Sequence, residues 1–232
     1  PATRFVFGFY VFEQMKPREI ALHLKMNIAN KNDRLEPLSK YRRFLLRKFN
    51  HLFSFEKRNY IIQEGNDFDF RLLDFKILRN TYIEGHWQSE LYFKDVESTI
   101  REEFKLIPPT DSLNKNVHKQ ITESNKTPIA IHYRFFVDPN FKSDSNISKF
   151  YYEKALVEIE KRIQDPHYFI FSDRPSEAIK ILALPTNKYT LVTHNTDDSM
   201  AYADLWLMSN CKHFIIANST FSWWGAWLSN NN

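Results

Sequence analysis

The chain has 232 residues, of which 43% are hydrophobic and 16% aromatic, so it can bury the core of a soluble globular protein with one or two domains. Its 32 basic and 28 acidic residues leave a net charge of +4, which argues against a nucleic-acid partner. A single cysteine, Cys211, excludes an internal disulfide and a zinc site built from several cysteines. No apolar stretch approaches the ~20 residues that span a bilayer, and no signal-peptide layout is present.

Two segments of the first half have apolar residues at helical spacing. We interpret Lys40–Leu52 as a surface helix whose apolar stripe packs on the core beneath a basic face, and we keep open a helix that lies on a membrane. Lys94–Phe104 is predicted to be a second helix. Residues 108–127 are rich in Pro, Ser, Asn and Lys and are interpreted as a linker. The stripe of the first helix consists of Tyr41, Phe44, Leu45, Phe49 and Leu52.

Beyond residue 127, short apolar runs alternate with helical patterns four times. This alternation is typical of an α/β domain with a mostly parallel, doubly wound sheet. The predicted strands are Ile129–Tyr133, Tyr168–Phe171, Tyr189–Thr193 and Phe214–Ala217. The predicted helices begin at a cap on Ser148, after Pro175, at Asp197 or Asp198, and in the tryptophan-rich segment after Ala217.

Polar residues follow each of the four predicted strands. Taken singly, each could cap a helix or turn the chain. Because ligands of open parallel sheets bind at the carboxyl ends of the strands, the four groups together predict a ligand site on one edge. The groups are His132 with Arg134, Ser172 with Asp173, His194 with Asn195, and Asn218 with Ser219 and Thr220.

The edge suits a phosphorylated ligand. Polar residues that open a helix after a strand offer hydroxyls and free backbone N–H groups to a phosphate. No glycine-rich phosphate cradle is present, so Arg134 is the predicted cation and Asp173 could hold a base or ribose. Asp67-Phe68-Asp69 follows a glycine in a turn-like context and is interpreted as a solvated turn rather than a metal site. The residues alone therefore predict a nucleotide- or sugar-nucleotide-binding domain.

Three stretches resemble a known family. The most specific is the C-terminal run that includes "CKHFIIANSTFSWWGAWL", Cys211–Leu228, together with His194, Asp198 and Asp204 upstream. "FIFSDR", Phe169–Arg174, and "EGHWQSELYFKDVESTIREEF", Glu84–Phe104, are similar to two further segments of the same family. These stretches resemble the family 11 glycosyltransferases, the α-1,2-fucosyltransferases.

The resemblance implies two Rossmann-like domains of the glycosyltransferase-B type. Residues 1–107 would be a partial N-terminal, acceptor-side domain, and residues 128–232 a donor-binding domain shortened at its C-terminus. The family's N-terminal glycine-rich segment has no counterpart in residues 1–14. The implied reaction is the inverting, metal-independent transfer of L-fucose from GDP-fucose to the 2-hydroxyl of a galactoside, with no cofactor.

The resemblance also assigns residues to the site. "HYRFFVD", His132–Asp138, is similar to the family's first donor motif but has Phe135 in place of a second arginine. Arg134 would stabilise the departing nucleotide. The resemblance does not identify the base; Asp138 is our candidate because it lies near Arg134 in sequence, ahead of a neutral His132. The implied donor-binding residues are His132, Arg134, Ser172, Asp173, Asn218, Ser219 and Thr220. The change at Phe135 leaves open a non-catalytic relative that binds GDP or a glycan, or an inactive fragment.

Composition and resemblance together lead us to expect a bacterial-type cytoplasmic enzyme with two partners, GDP-fucose and a galactose-containing glycan. Nucleic acid is not an expected partner. Peripheral contact with a membrane through Lys40–Leu52 stays possible on the sequence alone.

Overall fold

A computed structural model describes residues 38–230, except residues 66, 74, 76–80, 86, 139–144 and 197. The family's glycine-rich segment would fall in residues 1–14, which are not among the described residues. Asp197, one of the two predicted helix starts, is not described either. The chain divides between Glu103 and Phe104 into two compact units. We call them the first and second units.

The first unit contains two helices and two short strands. They are α1 (Ser39–Asn50), β1 (Tyr60–Ile62), β2 (Tyr82–Glu84) and α2 (Glu97–Glu103). The strands pair in parallel, with Tyr60 opposite Tyr82. Helix α1 confirms the first predicted helix, and the second is confirmed as a 3-10 turn, Lys94–Val96, that leads into α2.

The apolar stripe of α1 does not pack on a core, so that interpretation was wrong. Tyr41, Phe44 and Leu52 are 60%, 58% and 66% exposed. A basic side chain of the same helix instead turns toward the sheet, where Arg47 pairs with Glu84 at 3.2 Å. Helical periodicity was read correctly, but periodicity does not specify which side of a helix is covered.

The second unit alternates strands and helices, as predicted. It contains α3 (Ser112–Glu123), β3 (Thr127–Tyr133), α4 (Lys149–Arg162), β4 (Pro166–Ser172), α5 (Pro175–Leu182), β5 (Tyr189–Leu191), α6 (Ala201–Ser209), β6 (His213–Ile215) and α7 (Thr220–Trp227). The strand order is β5-β4-β3-β6, and every pair is parallel. The predicted α/β class with a parallel sheet is confirmed.

The central strands are buried on both faces, which is why they read as continuous apolar runs. Ile129 and Ile131 of β3 face one core with Tyr152 of α4 and Ala178 of α5. The alternate residues face a second core, which explains the doubly wound arrangement. That second core contains Ala130, Phe169 and Phe171 with Val117 and Ile121 of α3 and Leu207 and Met208 of α6.

Residues 108–127 are not a linker, because they contain α3. Asp111 caps this helix by accepting a hydrogen bond from the Asn114 N–H at 2.9 Å. Val117 and Ile121, four residues apart, are buried in the second core. Three apolar positions, Leu113, Val117 and Ile121, among many polar ones gave too weak a pattern to be recognised.

The tryptophan-rich segment forms α7 and packs against other elements of the second unit instead of facing solvent. Trp224 stacks on Phe104 with ring centroids 5.4 Å apart. Gly225 leaves room for α6, since a Cβ there would lie only 3.2 Å from Met208 Cβ. Among the helices in the described part of the chain, none has the length and apolar character needed to cross a bilayer.

Candidate donor site

The carboxyl edge of the four-stranded sheet collects most of the residues singled out in the sequence. The chain runs from β3 to β4 and β5 on one side, then crosses to β6 on the other side of β3. Loops that leave adjacent strands in opposite directions open a crevice at that point, and open α/β sheets bind ligands there. The strand order therefore places the expected crevice between the end of β3, which leads into Arg134, and the end of β6, which leads into Asn218 and Ser219.

Arg134 and Asp173 lie together at the ends of the two central strands. Arg134 Nη1 is 3.4 Å from Asp173 Oδ2, and the side chains are 31% and 24% exposed. The other carboxylate oxygen, Oδ1, accepts a hydrogen bond from the Phe135 N–H at 3.1 Å. Asp173 therefore fixes both the guanidinium and the backbone that follows β3.

A second ion pair crosses the same two loops. Arg174 Nη1 donates to Asp138 Oδ2 at 2.9 Å, and the side chains are 41% and 37% exposed. The hydrogen bond to Asp138 raises the pKa of Arg174. Two guanidinium groups thus flank the end of β3, and each is held by a carboxylate on the neighbouring loop.

His132 is buried beneath this edge and is uncharged. Burial, with a smaller contribution from Arg134, lowers its pKa to about 3. Its Nδ1 is buried without a hydrogen-bond partner in the part of the chain the structure describes. The ring lies against Phe221 with centroids 5.5 Å apart. A neutral imidazole in this position can exchange hydrogen bonds but supplies no positive charge.

The end of β6 leads directly into α7. Ser219 occupies the N-cap position of α7, yet its side chain makes no capping hydrogen bond. The Asn218 amide donates to the Ser145 carbonyl at 3.3 Å. Because the first N–H groups of a helix have no intrahelical acceptor, Ser219 and Thr220 stand where an anion can be bound.

The polar residues that follow β4 and β5 have structural roles. The Ser172 hydroxyl accepts a hydrogen bond from the Arg174 N–H at 3.1 Å, so it shapes the turn after β4. Beyond β5, Asn195 Nδ2 donates to Asp204 Oδ1 at 2.7 Å and to Asn114 Oδ1 at 3.0 Å. His194 Nε2 lies 3.0 Å from the same Asn114 oxygen. These amides form a network away from the β3–β6 crevice.

Sequence reasoning missed Asn114 and Asp204 as parts of this network. Asn114 is fully buried on α3, inside the segment interpreted as a linker. Burial raises the pKa of Asp204 to about 7, partly offset by the hydrogen bond from Asn195. The resemblance includes Asp204 but does not pair it with Asn195, nine positions away, and no local pattern marks Asn114, whose partner Asn195 is 81 positions away.

The acidic turn of the first unit also has a local explanation. Asp69 accepts hydrogen bonds from Arg71 Nε at 2.8 Å and Nη2 at 2.7 Å, and these lower its pKa. Across the described residues, no three His, Cys, Asp or Glu side chains are grouped as metal ligands would be.

Comparison with known proteins gives the chain a family. The model of glycosyl transferase family 11 matches residues 8–232. The chain belongs to glycosyl transferase family 11. This agrees with the resemblance of the C-terminal run and with the parallel α/β unit described above.

Two relatives from Escherichia coli are similar to a large part of the chain. An alpha-1,2-colitosyltransferase is 32% identical over 152 residues, which cover 63% of this chain and 50% of the relative. The O-antigen biosynthesis glycosyltransferase WbnK is 32% identical over 154 residues, which cover 60% of this chain and 49% of the relative. The matched region thus spans about half the length of these relatives. No solved structure matches the chain.

Proposed function

We propose that this family 11 chain transfers L-fucose from GDP-fucose to the 2-hydroxyl of a galactoside, with inversion and without a cofactor or metal ion. The observation that carries the proposal is the meeting of Arg134, Asp173 and the start of α7 at the carboxyl edge of one parallel sheet. The alpha-1,2 linkage named for one relative supports transfer to a 2-hydroxyl. In this proposal residues 104–232 bind the donor, and the first unit belongs to the acceptor side.

Arg134 would act on the leaving group. When the bond between the sugar C1 and the phosphate oxygen breaks, negative charge builds up on GDP. A preorganised guanidinium at that point lowers the barrier by about 3 kcal/mol for one such contact. Asp173 holds Arg134 in place, and Ser219 and Thr220 would meet the same phosphates with hydroxyls and backbone N–H groups.

Arg174 would take the part of the second arginine that the family motif places at Phe135. Phe135 is 6% exposed and belongs to the core beneath β3, so its position is committed to packing. Arg174 reaches the same edge from the next loop, where Asp138 holds it. The sheet edge therefore still carries two cations for a pyrophosphate.

Asp138 is our candidate for the base. In an inverting displacement the acceptor oxygen bonds to the sugar C1 as the bond to GDP breaks, and the acceptor proton passes to a carboxylate. Arg174 Nη1 lies 2.9 Å from Asp138 Oδ2 and orients the carboxylate at the edge of the sheet. His132 stays neutral beneath the site and would hydrogen-bond the donor rather than pair with its charge.

A calorimetric titration with GDP tests the donor site. We expect GDP to bind, and Arg134→Ala and Arg174→Ala each to weaken binding by about 10-fold or more, since a charged hydrogen bond contributes about 1.5–3 kcal/mol. Arg162→Ala removes an arginine whose side chain is 77% exposed on α4 and serves as the matched control. Equal affinity in all four proteins would contradict the proposed site.

Product formation separates an enzyme from a binding protein. We expect fucosyl transfer from GDP-fucose to a β-galactoside, and a loss of turnover in Asp138→Asn without loss of GDP binding. A non-catalytic GDP- or glycan-binding relative, which Phe135 leaves open, would bind but yield no product at any protein concentration. Because one relative is named for colitose, the nucleotide-activated form of that sugar is the alternative donor to assay.

The least specific alternative is an α/β domain with an unrelated ligand. It predicts that GDP gives no protection against thermal unfolding, whereas ligand binding to the folded state raises the melting temperature. The proposal also includes a cytoplasmic location, which requires that the donor be made in the cytoplasm.

A further inference from the structure

Helix α1 presents an apolar face to solvent. Its members, which include one residue on either side of the helix, recur at spacings of three or five residues, which places them on one side of a helix. We call them the outer face of α1. They are Leu38, Tyr41, Phe44, Phe49 and Leu52, with exposed fractions of 57%, 60%, 58%, 49% and 66%. A helix that rests on the core of a protein in water shows the opposite arrangement, with its polar side outward.

The basic side of the helix holds α1 to the sheet of the first unit. Arg47 pairs with Glu84 of β2 at 3.2 Å, and Glu84 also accepts a hydrogen bond from the Tyr60 hydroxyl. An open groove of about 680 Å³ runs between α1 and these strands, and Arg43, Phe44 and Lys48 also line it. Phe44 and Lys48 therefore lie at the margin of the outer face nearest the sheet, whereas Leu38, Tyr41, Phe49 and Leu52 do not line this groove.

The charge around the outer face has one sign. Residues 38–53 contain five Lys and Arg side chains and no carboxylate. Arg42 and Lys48 are exposed beside or within the apolar face. Aromatic and aliphatic side chains flanked by cations are typical of helices that lie in the interface of an anionic bilayer.

We propose that α1 docks this protein onto a membrane surface that contains anionic phospholipid. The outer face would enter the boundary between headgroups and acyl chains, and Arg42 and Lys48 would pair with headgroup phosphates. The 12 residues of α1, about 18 Å long, would lie in the plane of the interface. This inference goes beyond the proposed transferase activity and does not depend on it.

A second copy of the chain fits this face less well. In a two-fold contact the same patch meets itself, so Lys48 and Arg42 of each copy would approach their own equivalents. Residues 38–53 offer no carboxylate to compensate for that repulsion. Anionic lipid supplies the opposite charge and the apolar layer together.

Co-sedimentation with lipid vesicles tests the apolar contribution. We expect the chain to bind vesicles of phosphatidylglycerol and phosphatidylcholine far better than vesicles of phosphatidylcholine alone. Phe44→Ser with Leu52→Ser is expected to reduce binding by about 10-fold or more, because each buried side chain of this size contributes strongly to insertion. Phe150→Ser with Val157→Ser removes apolar side chains that are 61% and 51% exposed on α4, and we expect it to leave binding unchanged.

The charged contribution has its own test. Arg42→Gln with Lys48→Gln is expected to weaken binding by roughly 30-fold, since one cation near an anionic surface contributes about fivefold. The matched control is Lys161→Gln with Lys180→Gln, whose side chains are 63% and 69% exposed on α4 and α5. Unchanged binding after neutralisation of Arg42 and Lys48 would overturn the proposal.

A fluorescent label locates the contact. Because Cys211 is fully buried, an environment-sensitive dye can be attached selectively at Phe44→Cys or, as control, at Phe150→Cys. A blue shift on anionic vesicles at position 44 alone supports docking through α1. Two results would overturn it: equal binding to both kinds of vesicle, or a blue shift at position 44 that follows protein concentration without vesicles, which would reveal a second copy.

Discussion

The two units of the chain bury their strands in different ways. In the second unit, β3 and β4 pair over seven residues, and helices α3 to α6 cover both faces of the sheet. In the first unit, β1 and β2 pair over three residues, and Arg47 of helix α1 forms an ion pair with Glu84 of β2. A two-stranded sheet of this size is marginal without further packing.

Aromatic contacts take the place of covering helices in the first unit. Tyr60 stacks on Tyr82 across the two strands with centroids 6.1 Å apart. Phe68 lies 4.5 Å from Tyr92, and Trp87 lies 5.3 Å from the same ring. The comparison teaches that the second unit derives stability from two long buried strands. Of the two strands described in the first unit, only β1 is buried, at Tyr60 and Ile61, and pairs of rings and backbone fit contribute more.

The largest expected effect is on stability and comes from a substitution in the buried strand β4. Phe169→Ala in β4, where the side chain is 1% exposed, is expected to cost about 4 kcal/mol of unfolding free energy, because it loses transfer energy and leaves a cavity. Phe70→Ala, at a side chain 71% exposed in the first unit, is expected to cost under about 1 kcal/mol. Urea unfolding of both variants is the measurement. Similar costs would contradict the contrast in burial.

The next effect depends on pH and belongs to the second unit. The pKa of Asp204 is raised by burial to about 7, so the native state keeps a proton that the unfolded chain loses above pH ~4. Unfolding free energy therefore falls as pH rises from about 4 to about 7, by at most about 1.4 kcal/mol per pH unit from this group.

Asp204→Asn removes this titration while Asn195 keeps an oxygen to donate to. Buried histidines such as His132, whose pKa is lowered, have the opposite effect, because they lower the unfolding free energy of the protein as pH falls below about 6.5. The useful quantity is therefore the difference between parent and variant across pH. A difference that does not change between pH 4 and 8 would show that Asp204 is ionised in the native state.

A smaller effect tests the backbone fit of the first unit. A Cβ on Gly85 would collide with the Cβ of Gln63 and come within 3.0 Å of the Trp87 ring. Gly85→Ala is expected to cost about 2 kcal/mol, as overpacking does in a tight site. Gly65→Ala is the control for added bulk, since nothing lies within 4 Å of its added Cβ, although its positive φ of 81° adds strain. Hydrogen exchange measured at β1 and β2 would show whether the loss is local.

The smallest effect concerns the exposed ion pair between α1 and β2. Arg47→Ala is expected to lower the unfolding free energy by less than about 1 kcal/mol, because both side chains are largely in solvent. Arg162→Ala, which breaks an exposed pair on α4, should give a similar value. A much larger loss at Arg47 would mean that polar contacts stabilise the first unit more than its aromatic pairs do.

Much of the second unit could be predicted from the sequence, because its strands are buried on both faces. Runs that are apolar except for one residue, such as Ile129–Tyr133 with His132, and regular alternation with helices predict a parallel sheet from the sequence alone. The same reasoning places Arg134 and Asp173 on one edge, and the structure does bring them together.

Other features depend on contacts that no local pattern encodes. Val117 and Ile121 stand among polar residues in the sequence, so helix α3 was not predicted. The periodicity of α1 predicts a helix but does not indicate that its apolar side is exposed to solvent. The pairing of Arg174 with Asp138 joins residues that are 36 positions apart on two irregular loops. Such pairs depend on how the loops fold back over the sheet edge, which is a tertiary property.

The strand order has a consequence for synthesis of the chain. One edge of β3 pairs with β6, which begins 80 residues after β3 ends. At about 5–20 residues per second, that edge waits for about 4 to 16 seconds on the ribosome before its partner is made. An unpaired strand edge is a template for other chains. Expression conditions that slow translation should therefore favour aggregation of this protein, and a chaperone that shields β3 should relieve it.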